Sequence, residues 1–379
     1  MTTSCCGGVQ PVPSSLALAS PRLLGRIDAR WTDGVFRTLL GDVPRARTRL
    51  SLRDHLGTLA VRTGLGRMRY RVPPGLYAVG DPAADSPVLV SANYKLSFDH
   101  LRSALAGRDA WILVLDTRGI NVWCAAGKGT FGTGEIVGRV HGTGLARLVS
   151  HRRLVLPQLG APGVAAHEVR AATGFHVVYG PVRATDLPAF LDARLKADPE
   201  MRRVRFRLWD RLTLVPVEVV IGARYALPAA AALLLLGGLG PDGYSLARLA
   251  STGLRDAALT LASFLVALVL GPALLPWLPG RAFSLKGAWL GLALVGSLAA
   301  LGLPGPGVFG SWLHLAAWTA LGPAITSFLV MNLTGASTYT SLSGVLREMR
   351  FAVPAQTAAG AIGLALQVAA LVTMGGPAR

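Results

Sequence analysis

Along residues 87–209 apolar runs of strand length alternate with longer mixed segments. Pro87–Tyr94, Trp111–Thr117, Arg152–Gln158, Phe175–Gly180 and Val204–Trp209 are rich in Val, Ile, Leu and aromatic residues, and each is bounded by polar or Gly/Pro positions, as strands are. Ser97–Leu105, Glu135–Val149, Val164–Ala172 and Asp186–Lys196 repeat their apolar residues at helical spacing. Five strands with intervening helices predict an α/β, Rossmann-like sheet whose ligands would sit at the strand ends.

From residue 213 the pattern changes. Five windows, Leu214–Leu239, Ala257–Leu278, Gly287–Leu303, Val308–Leu333 and Val353–Met374, are long and apolar enough to cross about 30 Å of hydrocarbon as helices. Pro304-Gly305-Pro306-Gly307 separates the third from the fourth and predicts an antiparallel hairpin. The expected order is a basic lead-in over 1–80, partly irregular with short helices near Trp31–Leu40 and Leu50–Thr63. An α/β domain over 81–212 and an all-α transmembrane domain over 213–379 follow.

Composition sharpens this division. The chain has 379 residues, 51% hydrophobic and 15% charged, with a formal net charge of +18. Its mean hydropathy is +0.46. Residues 1–212 carry 30 Lys and Arg against 16 Asp and Glu, whereas 213–379 carry 8 against 4. The excess does not read as a nucleic-acid surface, because the arginines are scattered and their one tight cluster, Arg202, Arg203, Arg205, Arg207 and Arg211, abuts the first apolar window. With Arg281, Lys286, Arg347 and Arg350 alternating to the same side, this places the α/β domain on the cytoplasmic face of a cell (inner) membrane and the carboxyl terminus outside, against the counter-signal of Arg248 and Arg255. No signal-peptide pattern opens the chain. Glu218 and Arg224, in or beside the first window, pair or snorkel. No repeated half and no dense polar pathway marks a transporter. The polar part of Ser327–Arg350 predicts a re-entrant turn or a partner-facing loop.

Cys5, Cys6 and Cys124 are the only cysteines, too few for a disulfide framework or a four-thiolate metal site. His141, His151, His167 and His176 lack metal-ligand spacing. The most informative stretch is Thr117-Arg118-Gly119-Ile120-Asn121-Val122-Trp123-Cys124-Ala125-Ala126-Gly127-Lys128-Gly129-Thr130. Gly127–Gly132 spells GxGxxG, but six residues separate it from the strand loop and no acid follows at the dinucleotide spacing; Val122 and Gly129 break the Walker pattern. Asn121 is a good N-cap for a short helix whose first-turn backbone donors would favour a thiolate at Cys124. Ala125 and Ala126 keep that helix slim and Gly127 can end it. A broad planar ligand could then approach the sulfur, and Cys124 could ligate a soft metal; packing of a buried apolar cysteine accounts for it equally well.

The string NVWCAAGK within TRGINVWCAAGKGTFGT resembles the cap-helix signature of the HgcA family, the corrinoid proteins of microbial mercury methylation. The resemblance extends to PPGLYAVGDP, SPVLVSANYKLSFD, LPQLGAPGVAAHEV, TGFHVVYGPVRATDL and GPAITSFLVMNLTGASTYTSLSGV, roughly residues 60–350. It implies a cobamide (a cobalamin-type corrinoid) bound base-off, with Cys124 as lower cobalt ligand and Asn121 to Lys128 as cap helix. Thr117, Thr130, Thr133, Ser91 and Asn93 are candidate donors to the corrin amides and tail. The Asp-x-His-x-x-Gly motif of histidine-ligated cobamides is missing, since Asp54 and His55 are adjacent and His141 directly precedes Gly142. The implied activity is a methyltransferase passing methyl from methyl-Co(III) to Hg(II). A methylated pterin would supply the methyl group and an HgcB-like ferredoxin with two 4Fe–4S clusters the electrons, with Cys5 and Cys6 as a possible transient mercury site. The alternative is a membrane-anchored corrinoid methyl carrier or metal sensor with a different acceptor.

Overall fold

A computed structural model describes residues 25–333 and 342–373. Two compact units divide the chain, one comprising residues up to Val61 with Gly66–Val204, the other Arg62–Leu65 with Arg205–Arg379.

The first unit is a mixed α/β sheet of seven strands: β1 (Thr32–Thr38), β2 (Gly41–Ala46), β3 (Gly75–Val79), β4 (Val88–Ala92), β5 (Ala110–Leu115), β6 (Arg153–Leu156) and β7 (His176–Tyr179), in spatial order β1-β2-β3-β5-β4-β6-β7. Strands β5, β4, β6 and β7 are parallel neighbours, and β3 is antiparallel to β5. The connection from β4 runs to one side of it and the connection to β6 reaches the other side, which leaves a crevice beyond the carboxyl ends of these strands.

Helices cover both faces. Trp111, Leu113 and Leu115 of β5 point into a core with Ile136 and Val140 of α4 (Thr133–Gly142), Val169 of α5 (Ala166–Thr173), and Ala125, Ala126 and Phe131. Ala110, Ile112 and Val114 point the opposite way, against Phe98 of α2 (Lys95–Ala104) and Leu187 and Phe190 of α6 (Leu187–Asp192). The period of two along β5 thus feeds two cores, which is why WILVL has no polar position.

Two expectations change at the edges of this unit. In the lead-in, the helix expected near Trp31–Leu40 is strand β1, which with β2 forms an antiparallel hairpin that joins the sheet beside β3, whereas the helix expected near Leu50–Thr63 is present as α1 (Leu52–Arg62). Val204–Trp209 is no strand. Val204, Phe206 and Leu208 alternate with arginines, yet no strand pairs with them, and Leu208–Leu212 is instead a helical turn with Asp210 accepting from the Arg207 amide at 3.0 Å.

The second unit is helical. Five helices are long and apolar enough to cross a membrane: Leu208–Leu236, Leu246–Leu274, Phe283–Ala300, Trp312–Asn332 and Ser343–Thr373. The third and fourth pack antiparallel, because Gly287 and Gly291 bring one backbone onto the other; a Cβ at Gly287 would lie 2.5 Å from the Thr326 carbonyl oxygen and one at Gly291 2.6 Å from Pro323 Cα. Arg224 is exposed, over the Tyr225 ring. The polar stretch expected to form a re-entrant or partner-facing turn falls largely on 334–341, outside the described residues.

Candidate functional site

The loop after β5 is held from beneath. Asn93, just beyond β4, is 2% exposed, and its Oδ1 accepts from the amides of Thr117 (3.1 Å) and Gly119 (2.9 Å) and lies 2.9 Å from Thr117 Oγ1. Its Nδ2 donates to Asp116 Oδ1 at 3.0 Å. Thr117 is fully buried, with Oγ1 2.6 Å from the Ile120 carbonyl oxygen. Ser91, 4% exposed, lies 3.3 Å from the Ala92 carbonyl oxygen. The polar atoms of Asn93 and Thr117 therefore position the loop, while the Ser91 hydroxyl stays within its own strand. The Thr117–Ile120 turn places both Arg118 (φ 57°) and Gly119 (φ 75°) in the left-handed region. Arg118 carries a Cβ there at a cost of about 1 kcal/mol or more. The anchored turn holds it.

That turn delivers α3 (Val122–Gly127) to the carboxyl edge of the sheet. Asn121 is extended (φ −65°, ψ 161°) and its Oδ1 accepts from the Cys124 amide at 2.9 Å, the N-cap geometry expected from the sequence. The helix ends at Gly127, as expected, but the turn out of it is made two residues further on. Gly127 is its last residue, Lys128 is still right-handed, and Gly129 (φ 77°) turns the chain so that the Thr130 and Phe131 amides both donate to the Ala125 carbonyl.

The inner face of α3 is buried: Ala125 is 0% and Ala126 5% exposed. It seats on the turn Gln158–Gly163 that follows β6. Gly163 makes this seat possible, since a Cβ there would stand 2.3 Å from the Phe131 carbonyl oxygen and 3.0 Å from Ala126 Cα. Gly160 similarly clears the Phe131 ring. Sequence reasoning missed both as supports; the signal was two glycines within LPQLGAPG directly after a strand.

The outer face is free. Cys124, Gly127 and Lys128 share one side of the helix at i, i+3 and i+4, and all are exposed. Trp123 beside them is 42% exposed. A Cβ at Gly127 would meet nothing within 4 Å, so packing gives no reason for glycine at this exposed helical position, where it costs about 1 kcal/mol relative to Ala. Cys124 is thus not a buried packing residue. Thr130 lies 3.4 Å from the Ala125 carbonyl oxygen through Oγ1, and Thr133 Oγ1 accepts from the Ala165 amide at 2.9 Å. Cys5 and Cys6 lie outside the described residues.

Two cavities flank the sheet. One of about 550 Å³, lined by Asp85, Val88, Arg108, His151 and Arg153, lies at the amino ends of β4 and β6, away from the cap helix. The other, of about 480 Å³, is lined by Arg26, Arg30, Arg69, Arg71, Asn93 and Asp116, at the carboxyl ends of β4 and β5. Arg30 is paired with Asp28 at 2.6 Å, and the arginines outnumber the acids. Among the described residues no group of three or more His, Cys, Asp and Glu side chains could hold a metal ion.

These features define an α/β unit with a capped, sulfur-bearing platform at its strand ends. The family described as "CO dehydrogenase/acetyl-CoA synthase delta subunit" (CdhD) matches residues 56–191, from α1 to α6. The gamma subunit of the acetyl-CoA decarbonylase/synthase complex of Methanopyrus kandleri is 40% identical over 124 residues, 32% of this chain and 26% of that protein. The corresponding subunits of Archaeoglobus fulgidus and Methanothermobacter thermautotrophicus are each 32% identical, over 33% and 35% of this chain and 27% and 30% of theirs. The chain thus spans about a quarter to a third of the length of the curated relatives it matches. These matches correct the family expectation: they lead to acetyl-CoA decarbonylase/synthase subunits and not to the mercury-methylating proteins of the HgcA family. The mercury methyltransferase activity, the Hg(II) substrate and the HgcB-like ferredoxin partner fall with it.

Proposed function

We propose that this chain is a corrinoid methyl carrier, with the α/β unit as a Rossmann-like cofactor domain and the helical unit as its anchor in the cell membrane. A corrinoid as cofactor class is supported by the match to the acetyl-CoA decarbonylase/synthase proteins. The observation that carries the site assignment is the outer face of α3, where an exposed thiol stands beside a glycine with open space above it. A flat macrocycle needs that clearance, and a soft cobalt centre suits a thiolate. The donor set fits the group.

When bound, the corrinoid supplies a cobalt that accepts and releases a methyl group. Cys124 would hold the metal through its sulfur. Asn121 fixes the first turn and hence the sulfur; Val122, Ala125 and Ala126 fasten the helix to the core; Trp123, Gly127 and Lys128 line the platform. Arg69 and Arg71, at the neighbouring strand ends, offer guanidinium groups to anionic parts of the ligand. Cys124 does not move a proton in this scheme; its sulfur would hold the metal and donate electron density to it.

The partners proposed are subunits like those of the acetyl-CoA decarbonylase/synthase complex, which donate or take up the methyl group. The helical unit lies beyond residue 191, where the family match ends, so tethering such a carrier to a membrane would be this chain's own departure.

Absorption spectra of the purified full chain with cobalamin test the reading. Wild type should bind with a spectrum that shifts on Cys124→Ala, while Cys124→Ala keeps its fold by circular dichroism. Failure of wild type to bind cobalamin, or an unchanged spectrum in the variant, would overturn the cofactor or the ligand assignment respectively.

A further inference from the structure

The helical unit buries a set of ionisable groups that methyl carriage leaves unused. Asp256, on the second span, is fully buried. His314 Nε2 lies 2.8 Å and Trp318 Nε1 3.0 Å from its Oδ1, both on the fourth span, and Gln367 Nε2 on the fifth donates to its Oδ2. His314 is also fully buried, and Arg255 Nη2 stands 3.1 Å from its Nδ1. A guanidinium only donates, so Nδ1 accepts and Nε2 carries the ring proton toward the carboxylate. Arg255 leads this chain to the rim, with its side chain 19% exposed and Nη1 3.4 Å from the Val308 carbonyl oxygen. The first and third spans face the cluster with Leu233, Val295 and Leu298, all apolar. Arg255 and His314 are thus the ionisable groups that contact Asp256 among the described residues.

Gln367, 1% exposed, has an Oε1 without a partner, and Ser263, fully buried, has an Oγ without one. Ser263 lies two turns from Asp256 on the buried face of the second span, with Thr260 between. Three turns before Gln367 on the fifth span, Gln356 donates to Ser327 Oγ at 2.8 Å and leaves its own Oε1 unpartnered. Farther on, near the opposite end of the bundle, Glu348 Oε1 accepts from the Ser284 amide at 2.6 Å. A buried polar atom without a partner is costly, and water would relieve it.

We propose that the helical unit is a proton path. Asp256 with His314 is its protonatable pair, entered from the Arg255 rim. Water held by the free oxygens of Gln367, Ser263 and Gln356 continues it toward Glu348. One proton arrives from rim water onto the Asp256 carboxylate and one leaves from the carboxyl to the next water, so the pair returns to its starting charge and no electrons move. The inference rests on the five helices crossing a membrane and is independent of the cofactor.

The full chain reconstituted in phosphatidylcholine/phosphatidylglycerol vesicles, with an entrapped pH dye and a potassium gradient clamped by valinomycin, tests it. Wild type should acidify the lumen at least about tenfold faster than protein-free vesicles, as an intramembrane carboxylate relay would. Asp256→Asn should fall to the protein-free rate, His314→Gln should slow strongly, and Asp256→Glu should retain flux. Ser297→Ala, at an exposed position of the third span, should match wild type. Wild-type flux no faster than empty vesicles overturns the proposal, as does undiminished flux in Asp256→Asn. Asp256→Glu and His314→Gln keep the test decisive if Asp256→Asn does not assemble.

Discussion

Each unit of this chain buries a charged cluster, and the two are built differently. In the α/β unit Lys95 lies 2.6 Å from Asp54 and 2.7 Å from Asp99, while Arg102 lies 3.0 Å from Asp54 and 2.7 Å from Asp99. Two cations and two anions, each at most 6% exposed, close a ring between α1 and α2, and Arg102 also donates to the Arg47 and Arg49 carbonyls of the segment after β2. In the helical unit Asp256 is tied to three neighbours, yet unpartnered oxygens remain at Gln367 and Ser263. A closed ring pins elements together, whereas an open one keeps capacity for something that comes and goes. The cap helix repeats the contrast on a small scale, with a sealed inner face and an open outer one.

The largest effect should come from breaking the closed ring. Lys95→Met or Arg102→Met leaves a buried carboxylate short of a counter-charge and should cost about 3–5 kcal/mol, read by denaturant unfolding of the full chain in detergent. A loss under about 1 kcal/mol would mean that the ring contributes no more than a surface ion pair. The same ring sets a pH response. Burial alone would raise the Asp54 carboxyl, but the Lys95 ammonium and the Ser51 amide and hydroxyl outweigh it and hold its pKa well below the usual range. A depressed folded value contributes stability that is present above the unfolded pKa of about 3.9 and lost as pH falls below it. Unfolding free energy should therefore decline on acidification below about pH 4, and less steeply in Asp54→Asn.

Next in size is the seat of the cap helix. Gly163→Ala should displace α3 and cost about 1–3 kcal/mol, with loss of cobalamin binding by titration. Asn121→Ala removes the N-cap, at about 1 kcal/mol, and should loosen the thiol so that its alkylation rate changes. The smallest stability effect has the opposite sign. Gly127→Ala meets open space and should gain about 0.5–1 kcal/mol in helix propensity, yet it should weaken cobalamin binding because the methyl group enters the platform. If it weakens neither binding nor stability, the outer face is not the ligand's surface.

Much of the parallel sheet was legible because β4 to β7 are short apolar runs that carry their own period. The hairpin β1–β2 was not, since TDGVFRT and GDVPRA mix polar residues among the apolar ones and their pairing supplies what their composition lacks; strand β3, GLYAV, is apolar and fully buried but short and set between Pro and Gly positions. Val204–Trp209 misled for the converse reason, with alternating apolar residues that no strand of the sheet pairs. At the site, the Asn121 cap followed from local residue types, while the exposure of the Cys124 thiol was decided by the structure and Gly160 and Gly163 gained meaning only once the turn after β6 met α3. Asn93 and Thr117 read as ligand donors in the sequence, and the structure bonds them within the loop, while Ser91 bonds along its own strand. In the helical region attention fell on Glu218 and Arg224, which stand at the edge of an apolar run, and passed over Asp256, His314 and Gln367.

The sequence by itself determined what depends on neighbours along the chain: the division into a charged and an apolar half, the helical and strand periods, and a capped Cys-Ala-Ala-Gly turn. Tertiary structure decided which polar groups are buried, who partners them and which are left open. Residues 58 and 111 positions apart, His314 and Gln367 with Asp256, share no local signal. Only the packing of helices in an apolar interior, where every unpaired polar atom is costly, brings them to one point and makes their pairing matter.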